Sequence, residues 1–346
     1  MSIKNITRRQ FGLAVAGTIA ARGMAQSGTA NTSASGEQHL PREVWVASMG
    51  QMGLTAQNPQ EMCRKMLNRM EEATPLRPEI VCTPEVFPFV GLTGGRRPIL
   101  AEVAEERTGP ILDQFANFAR HHHSYIICST YTKEAGRYYN AAVLFDREGR
   151  YVGEYRKTNP TDDEIEMGIT PGPLRPPVFE TSFGTMGIQI CYDVNWQANW
   201  RHLSDEGAKI VFWPSAFAGG KMLNSLAWMN KYYVVSSTRF LHPTKMVNPL
   251  GDDIVVTGRA ANWICAPLNL DFEVVQTVVD FRRFKDIRKK YGRGFRFRIL
   301  HVEALAMVEG VSADISAAEV IREYDIPTSK ELLATSTRLQ HSKRPV

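Results

Sequence analysis

Three strand-like runs in this chain end on side chains that can do chemistry. Ile80-Val81-Cys82-Thr83 leads into Pro84-Glu85, Tyr151–Arg156 leads into Lys157, and Gly187-Ile188-Gln189-Ile190 leads into Cys191. A thiol attacks an electrophilic carbon only as its thiolate. A neighbouring carboxylate can take the thiol proton, and a fixed ammonium can hold negative charge that develops on an oxygen. Side chains at strand ends are held by a rigid scaffold while facing a cleft. Singly, each has a plainer account. A cysteine closing an apolar strand is more often a small buried hydrophobe, and a lone glutamate or lysine is more often a cap or a solvated charge. The combination points to nucleophilic catalysis.

The elements that must position these groups alternate along the chain. Strands are predicted at Glu43–Met49, Glu79–Thr83 and Tyr125–Tyr131, with helices at Pro59–Ala73, where Met62, Met66, Leu67 and Met70 recur at helical spacing, and at Pro110–His121. Asn140–Phe145 and Tyr151–Arg156 flank a turn ending in Gly149, and Pro177–Thr181 and Met186–Ile190 flank Ser182–Thr185, so both pairs read as hairpins. A helix at Gln197–Glu206, a strand at Lys209–Trp213, a helix at Met222–Lys231 and a strand at Tyr232–Thr238 follow. A last hairpin-like pair covers Asp253–Thr257 and Phe272–Asp280. Hairpins mixed with crossover helices exclude a purely parallel sheet. The expected fold is α/β: a four-layer α-β-β-α sandwich of two mixed sheets flanked by helices. No internal repeat is found. A catalytic domain over residues 41–300 and a C-terminal extension over 301–346, read as short helices and extended tail, account for the rest.

The first 40 residues read as something other than fold. Thr7-Arg8-Arg9-Gln10-Phe11-Gly12-Leu13 is an arginine pair before a mildly apolar run, and small residues lead to Gly23-Met24-Ala25. Residues 1–25 are thus read as a twin-arginine signal peptide, and 26–40 as a flexible linker rich in Ser, Thr, Ala and Gly. The apolar run is too short for a stable membrane anchor. The chain would be exported folded by the twin-arginine machinery to a periplasmic or secreted location. The formal charge of +5 includes Lys4, Arg8, Arg9 and Arg22, so 5 − 4 leaves about +1 for the mature chain. That is too little for a general nucleic-acid surface. The five cysteines (Cys63, Cys82, Cys128, Cys191, Cys265) are odd in number and irregular in spacing, which does not suggest a disulfide framework. A basic stripe over Phe281–Arg298 is read as a solvated helix face or a subunit contact. His121-His122-His123 cannot all face one ion from a helix end, so no metal site is expected there.

The three strand ends resemble the Glu–Lys–Cys triad of the nitrilase superfamily, the carbon–nitrogen hydrolases, in order and local dress: Pro-Glu, Arg-Lys with Pro160 three residues on, and Cys-Tyr-Asp. Phe212-Trp213-Pro214-Ser215-Ala216 and Pro249-Leu250-Gly251 resemble later motifs of that family, so that the likeness runs over Glu43 to Tyr291. The resemblance implies Glu85 as general base, Lys157 as oxyanion stabiliser, Cys191 as nucleophile through a thioester, and the backbone N–H of Tyr192 as a second oxyanion donor. It implies Glu164 as a second acid that positions substrate or tunes Lys157, no cofactor or metal, and a homodimer or higher homo-oligomer. Asp193 is expected to orient the turn after the nucleophile, and Trp196 and Phe217 are pocket candidates. The family often places arginine, phenylalanine, proline and glutamate next; here stand Asn195, Trp196, Gln197 and Ala198, which removes a usual internal arginine contact. Because the nucleophile sits in Cys-Tyr-Asp and not Cys-Trp-Glu, an amide or N-carbamoyl substrate is expected over a nitrile. Two other readings use the same scaffold: a non-catalytic small-molecule-binding protein, and an acyl transferase in which an amine resolves the thioester.

Overall fold

The computed structural model describes residues 42–345 apart from 96, 240–241, 259–260 and 278–280. The signal peptide and linker read from the sequence lie outside the described residues. In chain order the elements are β1 (Glu43–Met49), α1 (Pro59–Glu71), β2 (Ile80–Cys82), α2 (Leu100–Val103), α3 (Pro110–His122), β3 (Tyr125–Glu134), β4 (Arg137–Phe145) and β5 (Tyr151–Arg156). Then come α4 (Asp162–Glu166), β6 (Val178–Thr181), β7 (Gly184–Ile188), α5 (Gln197–Asp205), β8 (Ile210–Ser215), α6 (Lys221–Asn230), β9 (Tyr233–Thr238), β10 (Lys245–Val247) and β11 (Asp253–Val256). The chain closes with β12 (Trp263–Asn269), β13 (Phe272–Gln276), α7 (Phe281–Tyr291), β14 (Phe295–Leu300), β15 (Leu305–Gly310), α8 (Ala317–Glu323) and α9 (Ser329–Lys343).

Two six-stranded sheets form, in the orders β12-β1-β2-β3-β4-β5 and β11-β10-β9-β8-β7-β6. Both are mixed: β1, β2 and β3 run parallel, as do β7, β8 and β9, and antiparallel strands complete each edge. Strand side chains alternate between faces, and here both faces are buried. Val44, Ile80, Ile127 and Leu144 of the first sheet share a core with Ile188, Ile210, Phe212 and Val235 of the second. The opposite residues Ala47, Val81 and Ile126 pack under α1 and α3, on Met62, Met66, Met70, Ile111 and Phe115. Val211, Trp213 and Val234 pack under α5 and α6, on Trp200, Leu203, Leu223 and Leu226. Burial on both sides is why these strands read as near-continuous apolar runs. The layers are helix, sheet, sheet, helix, as expected. Across the middle, the Ser48 hydroxyl donates to the Ser236 carbonyl at 2.6 Å and Ser237 to that of Met49 at 2.6 Å, stitching the sheets together.

Local chemistry sets the boundaries. Asn58 caps α1 by accepting from the Glu61 N–H at 2.9 Å, with Pro59 opening the first turn. Gly149 takes φ +72 between β4 and β5, where an added Cβ would meet the Ala116 carbonyl at 2.3 Å, so the turn requires glycine.

The C-terminal part departs from the sequence reading. Asp253–Thr257 and Phe272–Asp280 do not form a hairpin: β11 pairs with β10, and β13 pairs with β15 in a separate three-stranded sheet ordered β13-β15-β14. The three-residue β10 is too short to register as a strand in the sequence. The stretch after residue 300 is not only helix and tail, since β15 is the central strand of that sheet. The β14–β15 hairpin straddles residues 300 and 301. α7 and α8 cover this sheet through Phe284, Ile287, Val320 and Ile321. Lys285, Arg288, Lys289 and Lys290 of the basic stripe are solvent-exposed, as a solvated helix face requires, while three arginines of the stripe are tied to neighbouring groups. Arg283 donates to the carbonyls of Tyr324 and Asp325, Arg296 pairs with Glu309 at 2.7 Å, and Arg298 pairs with Asp252 at 2.9 Å.

Candidate active site

Glu85, Lys157 and Cys191 each sit just past a strand, after β2, β5 and β7. The chain leaves β2 through Thr83 and Pro84 and bends sharply at Val86, which holds φ +35 and donates its N–H to the Ser129 hydroxyl at 3.1 Å. That bend turns the Glu85 carboxylate inward, where it is buried. Its Oε1 accepts from Lys157 Nζ at 2.8 Å and from Asn140 Nδ2 at 2.9 Å, and its Oε2 from Arg239 Nη2 at 3.1 Å. Burial alone would raise this carboxyl, but the charges of Lys157 and Arg239 and the donated hydrogen bonds outweigh it and hold it down at about 2. It is therefore ionised and competent as a base throughout the physiological range.

Lys157 is equally buried, and its Nζ also donates to Glu164 Oε2 at 2.7 Å. Burial would lower the lysine, but the negative charges of Glu85 and Glu164 and the nearness of Cys191 overcome it, so the ammonium is kept well above its usual range. The resemblance implied Glu164 as a second acid of the site. It stands at the third position of α4, where Thr161 and Glu164 form a reciprocal cap, and its Oε1 accepts from Asn140 Nδ2 at 2.6 Å. The structure thus brings Glu164 into the cluster. Glu85 and Glu164, Lys157 and Arg239 balance as two negative and two positive charges, which is how the fold tolerates so many buried ions.

Cys191 opens the turn after β7 at φ +48, a left-handed conformation that a side chain with Cβ adopts only when its surroundings impose it. The turn is locked from behind. Trp213 Nε1 donates to the Cys191 carbonyl at 3.1 Å and Trp200 Nε1 to the Asp193 carbonyl at 3.0 Å. Asp193 is buried and takes four donors: Tyr155 Oη at 2.6 Å, the Ile190 N–H at 3.0 Å, and the N–H and Nδ2 of Asn159 at 2.8 and 2.9 Å. The orienting part expected of Asp193 is visible in these contacts. Its carboxyl is pushed up to about 6, because burial outweighs the donors. The thiol of Cys191 is pushed up to about 12, first by burial and then by the charge of Glu85, against Lys157, the Ala216 N–H and the Ser215 hydroxyl. At rest the proton is on sulfur, not on Glu85.

The Tyr192 N–H lies in the first turn of the short helix that starts at Cys191, one residue before the Asp193 N–H that bonds back to Ile190, so it has no intrahelical acceptor. The Tyr192 ring is exposed and meets Trp196 edge to face at 5.1 Å. Phe217 is half-buried against Trp213 at 5.2 Å. Sequence reasoning missed Asn140 and Arg239. Asn140 lies inside β4 and carried no signal of its own. Arg239 follows β9 directly and obeys the strand-end rule that picked out the other three; it supplies an internal arginine where the stretch Asn195–Ala198 has none.

An α-β-β-α sandwich with ionisable side chains gathered at strand ends defines an α/β enzyme, and the comparisons say which kind. The family described as carbon–nitrogen hydrolase matches residues 46–270, more than half of the chain. The chain belongs to the carbon–nitrogen hydrolase family and is an enzyme. Among curated relatives, a deaminated glutathione amidase of Synechocystis sp. is 31% identical over 163 residues, covering 40% of this chain and 60% of the relative. One from Rattus norvegicus is 31% identical over 175 residues (46% and 52%), and a beta-ureidopropionase of Arabidopsis thaliana is 30% identical over 148 residues (40% and 36%). The matched stretch spans no more than about 60% of these relatives' own lengths. Among solved structures, an amidase from Nesterenkonia sp. superposes with TM-score 0.57 at 22% identity, over 65% of this chain and 90% of that one. A carbon–nitrogen hydrolase from Helicobacter pylori G27 gives 0.61 at 19%, over 73% and 94%. Both share the fold.

Proposed function

We propose that this enzyme hydrolyses an amide or N-carbamoyl compound through a thioester on Cys191. The observation that carries the reading is the buried Glu85–Lys157 pair, 2.8 Å apart, whose charges both act on the Cys191 thiol. Because the thiol proton rests on sulfur, attack and proton transfer are coupled. Glu85 takes the Sγ proton as Sγ bonds to the carbonyl carbon, and the C=O electron pair moves to oxygen. Lys157 Nζ and the Tyr192 N–H hold that oxyanion. The tetrahedral adduct collapses, the C–N bond breaks, and Glu85 returns the proton to the departing nitrogen. Water then gives its proton to Glu85 and adds to the thioester; the C–S bond breaks and sulfur regains the proton. The sum is amide plus water giving carboxylic acid plus amine. Glu164 keeps Lys157 oriented and protonated when Glu85 is neutral. The relatives named amidase and beta-ureidopropionase, together with this chain's own Cys191-Tyr192-Asp193, favour amide or carbamoyl substrates over nitriles.

Ammonia release from a panel of amides, N-carbamoyl compounds and nitriles, with wild type and Cys191→Ala, tests this reading. Release from amides or carbamoyl compounds by wild type only is expected; turnover confined to nitriles, or surviving in Cys191→Ala, would overturn it. The twin-arginine leader and a homo-oligomeric assembly belong to the same proposal, supported by Arg8-Arg9 before the apolar run and by the resemblance to the family.

A further inference from the structure

Tyr131 lies in β3 directly across from Asn140 of β4. Residues opposite one another on antiparallel strands point to the same face. The Asn140 side chain faces the ionic cluster, with Nδ2 donating to Glu85 at 2.9 Å and to Glu164 at 2.6 Å. The Tyr131 ring is therefore carried to the wall of the same cleft. Phe89, in the short helical turn just past the Val86 bend, stacks on it with ring centroids 5.3 Å apart and planes at 30°. Val86, Val90, Leu100 and Ile169 complete an apolar bed around the pair.

The hydroxyl at the tip of this ring is unused. The Tyr131 carbonyl accepts from the Glu105 N–H at 3.0 Å, but among the described residues the phenol makes no hydrogen bond. A buried tyrosine hydroxyl ordinarily finds a partner. Tyr155 donates to Asp193 at 2.6 Å, Tyr233 to the Asn269 carbonyl at 3.1 Å and Tyr232 to the Trp200 carbonyl at 3.3 Å. Tyr139 also lacks one, but it points to the other face of β4, under the Arg156 guanidinium. The Tyr131 oxygen is not among the polar atoms sealed from solvent, so the 6% of this residue that stays exposed includes it. Burial raises the phenol above its usual range, and the charges of Glu164 and Glu85 raise it further, against Arg239 and Lys157. All four ions of the cluster act on this oxygen, and it keeps its proton at any working pH.

We propose that the Tyr131 hydroxyl positions the departing nitrogen of the substrate, its oxygen accepting an N–H while Glu85 delivers the proton. The inference rests on the amide-hydrolysis reading above. In that reading Lys157 and the Tyr192 N–H hold the substrate oxygen, so the nitrogen of the planar amide points away from them, to the side where Glu85 returns its proton. The Tyr131 hydroxyl is an open polar group on the Glu85 and Glu164 side of the cleft. As the C–N bond breaks, the nitrogen takes the proton from Glu85 and gains positive character, which strengthens the N–H···O bond toward the transition state. Tyr131 keeps its own proton throughout.

The best amide of the panel is compared with the S-methyl thioester of the same acyl group, in wild type and in Tyr131→Phe, which keeps the ring and its stack on Phe89. Both substrates deliver the same acyl group to Cys191, but the leaving sulfur of the thioester offers no N–H. In Tyr131→Phe, kcat/KM should fall about tenfold for the amide, whose N–H loses its acceptor, and stay nearly unchanged for the thioester. The acid limb of both pH profiles should stay in place, because Glu85 keeps its partners. Equal loss for both substrates would make Tyr131 a packing residue, and no loss for either would leave its hydroxyl without a part in the reaction. Each of these results overturns the inference while amide hydrolysis stands. Ammonia from no amide, with the thioester still acylating Cys191 of the wild type, would overturn the hydrolysis reading and this inference with it.

Discussion

Replacing Arg239 by Leu removes one of the two cations on Glu85 and leaves Lys157 and Asn140 in place. The Arg239 guanidinium lies 3.1 Å from Oε2, and an opposite charge at such a distance lowers a carboxyl by about 1–3 pH units. Arg239 is partly exposed, which screens it toward the lower half of that range. The Glu85 carboxyl should therefore climb from about 2 toward its ordinary value. The sign follows directly. A base works only when deprotonated, so the acid limb of kcat/KM must move up by about 1–2 pH units. Stability moves with it. The depressed carboxyl of Glu85 adds stability above the unfolded-state value of 4.5, and this is lost as pH falls toward about 2. Arg239→Leu narrows that window and brings acid unfolding to higher pH. The assay is ammonia release from the best amide of the panel between pH 3 and 9, beside fluorescence-monitored unfolding at each pH. An acid limb that stays put while overall activity falls would refute the electrostatic account of Arg239 and leave it a packing residue.

Lys157→Met would leave the buried Glu85 carboxylate without its nearer cation; a loss of about 3–5 kcal/mol in urea unfolding is expected at pH 7, partly recovered as the pH is lowered and Glu85 protonates. Asp193→Asn turns an acceptor of four donors into a group carrying two donors of its own, and should cost about 2–4 kcal/mol; a melting temperature equal to wild type would show that the turn after Cys191 does not depend on it. Changing Arg8 and Arg9 together to Lys should leave the precursor in the cytoplasm, read by cell fractionation, whereas undiminished export would remove the twin-arginine reading.

The sandwich was legible because its central strands are buried on both faces. Val81, Ile126 and Val211 are apolar for one layer, and Ile80, Ile127 and Ile210 for the other, which leaves uninterrupted apolar runs bounded by helices. β12 and β10 were not legible, for different reasons. β12 carries Pro267 and forms the edge of its sheet, where a proline costs no ladder hydrogen bond, while β10 is three residues long. The third sheet was hidden by charge: Arg296 and Arg298 alternate with Phe295 and Phe297 in a strand pattern that the neighbouring basic helix obscures. Of the ionic cluster, Glu85 and Lys157 could be found because motif and strand end coincide, and Glu164, on a helix, through the family resemblance alone. Asn140 could not, since an asparagine within a strand says nothing of what lies across the cleft.

The account turns on Cys191 forming a bond to the acyl group. The most direct measurement mixes the enzyme with an amide substrate, quenches in acid within the first turnovers, and reads intact and peptide masses. A gain equal to the acyl group, carried by the peptide containing Cys191 and absent in Cys191→Ala, is the predicted result. Steady ammonia release with no acyl adduct at Cys191, or with an adduct on another residue, would contradict it.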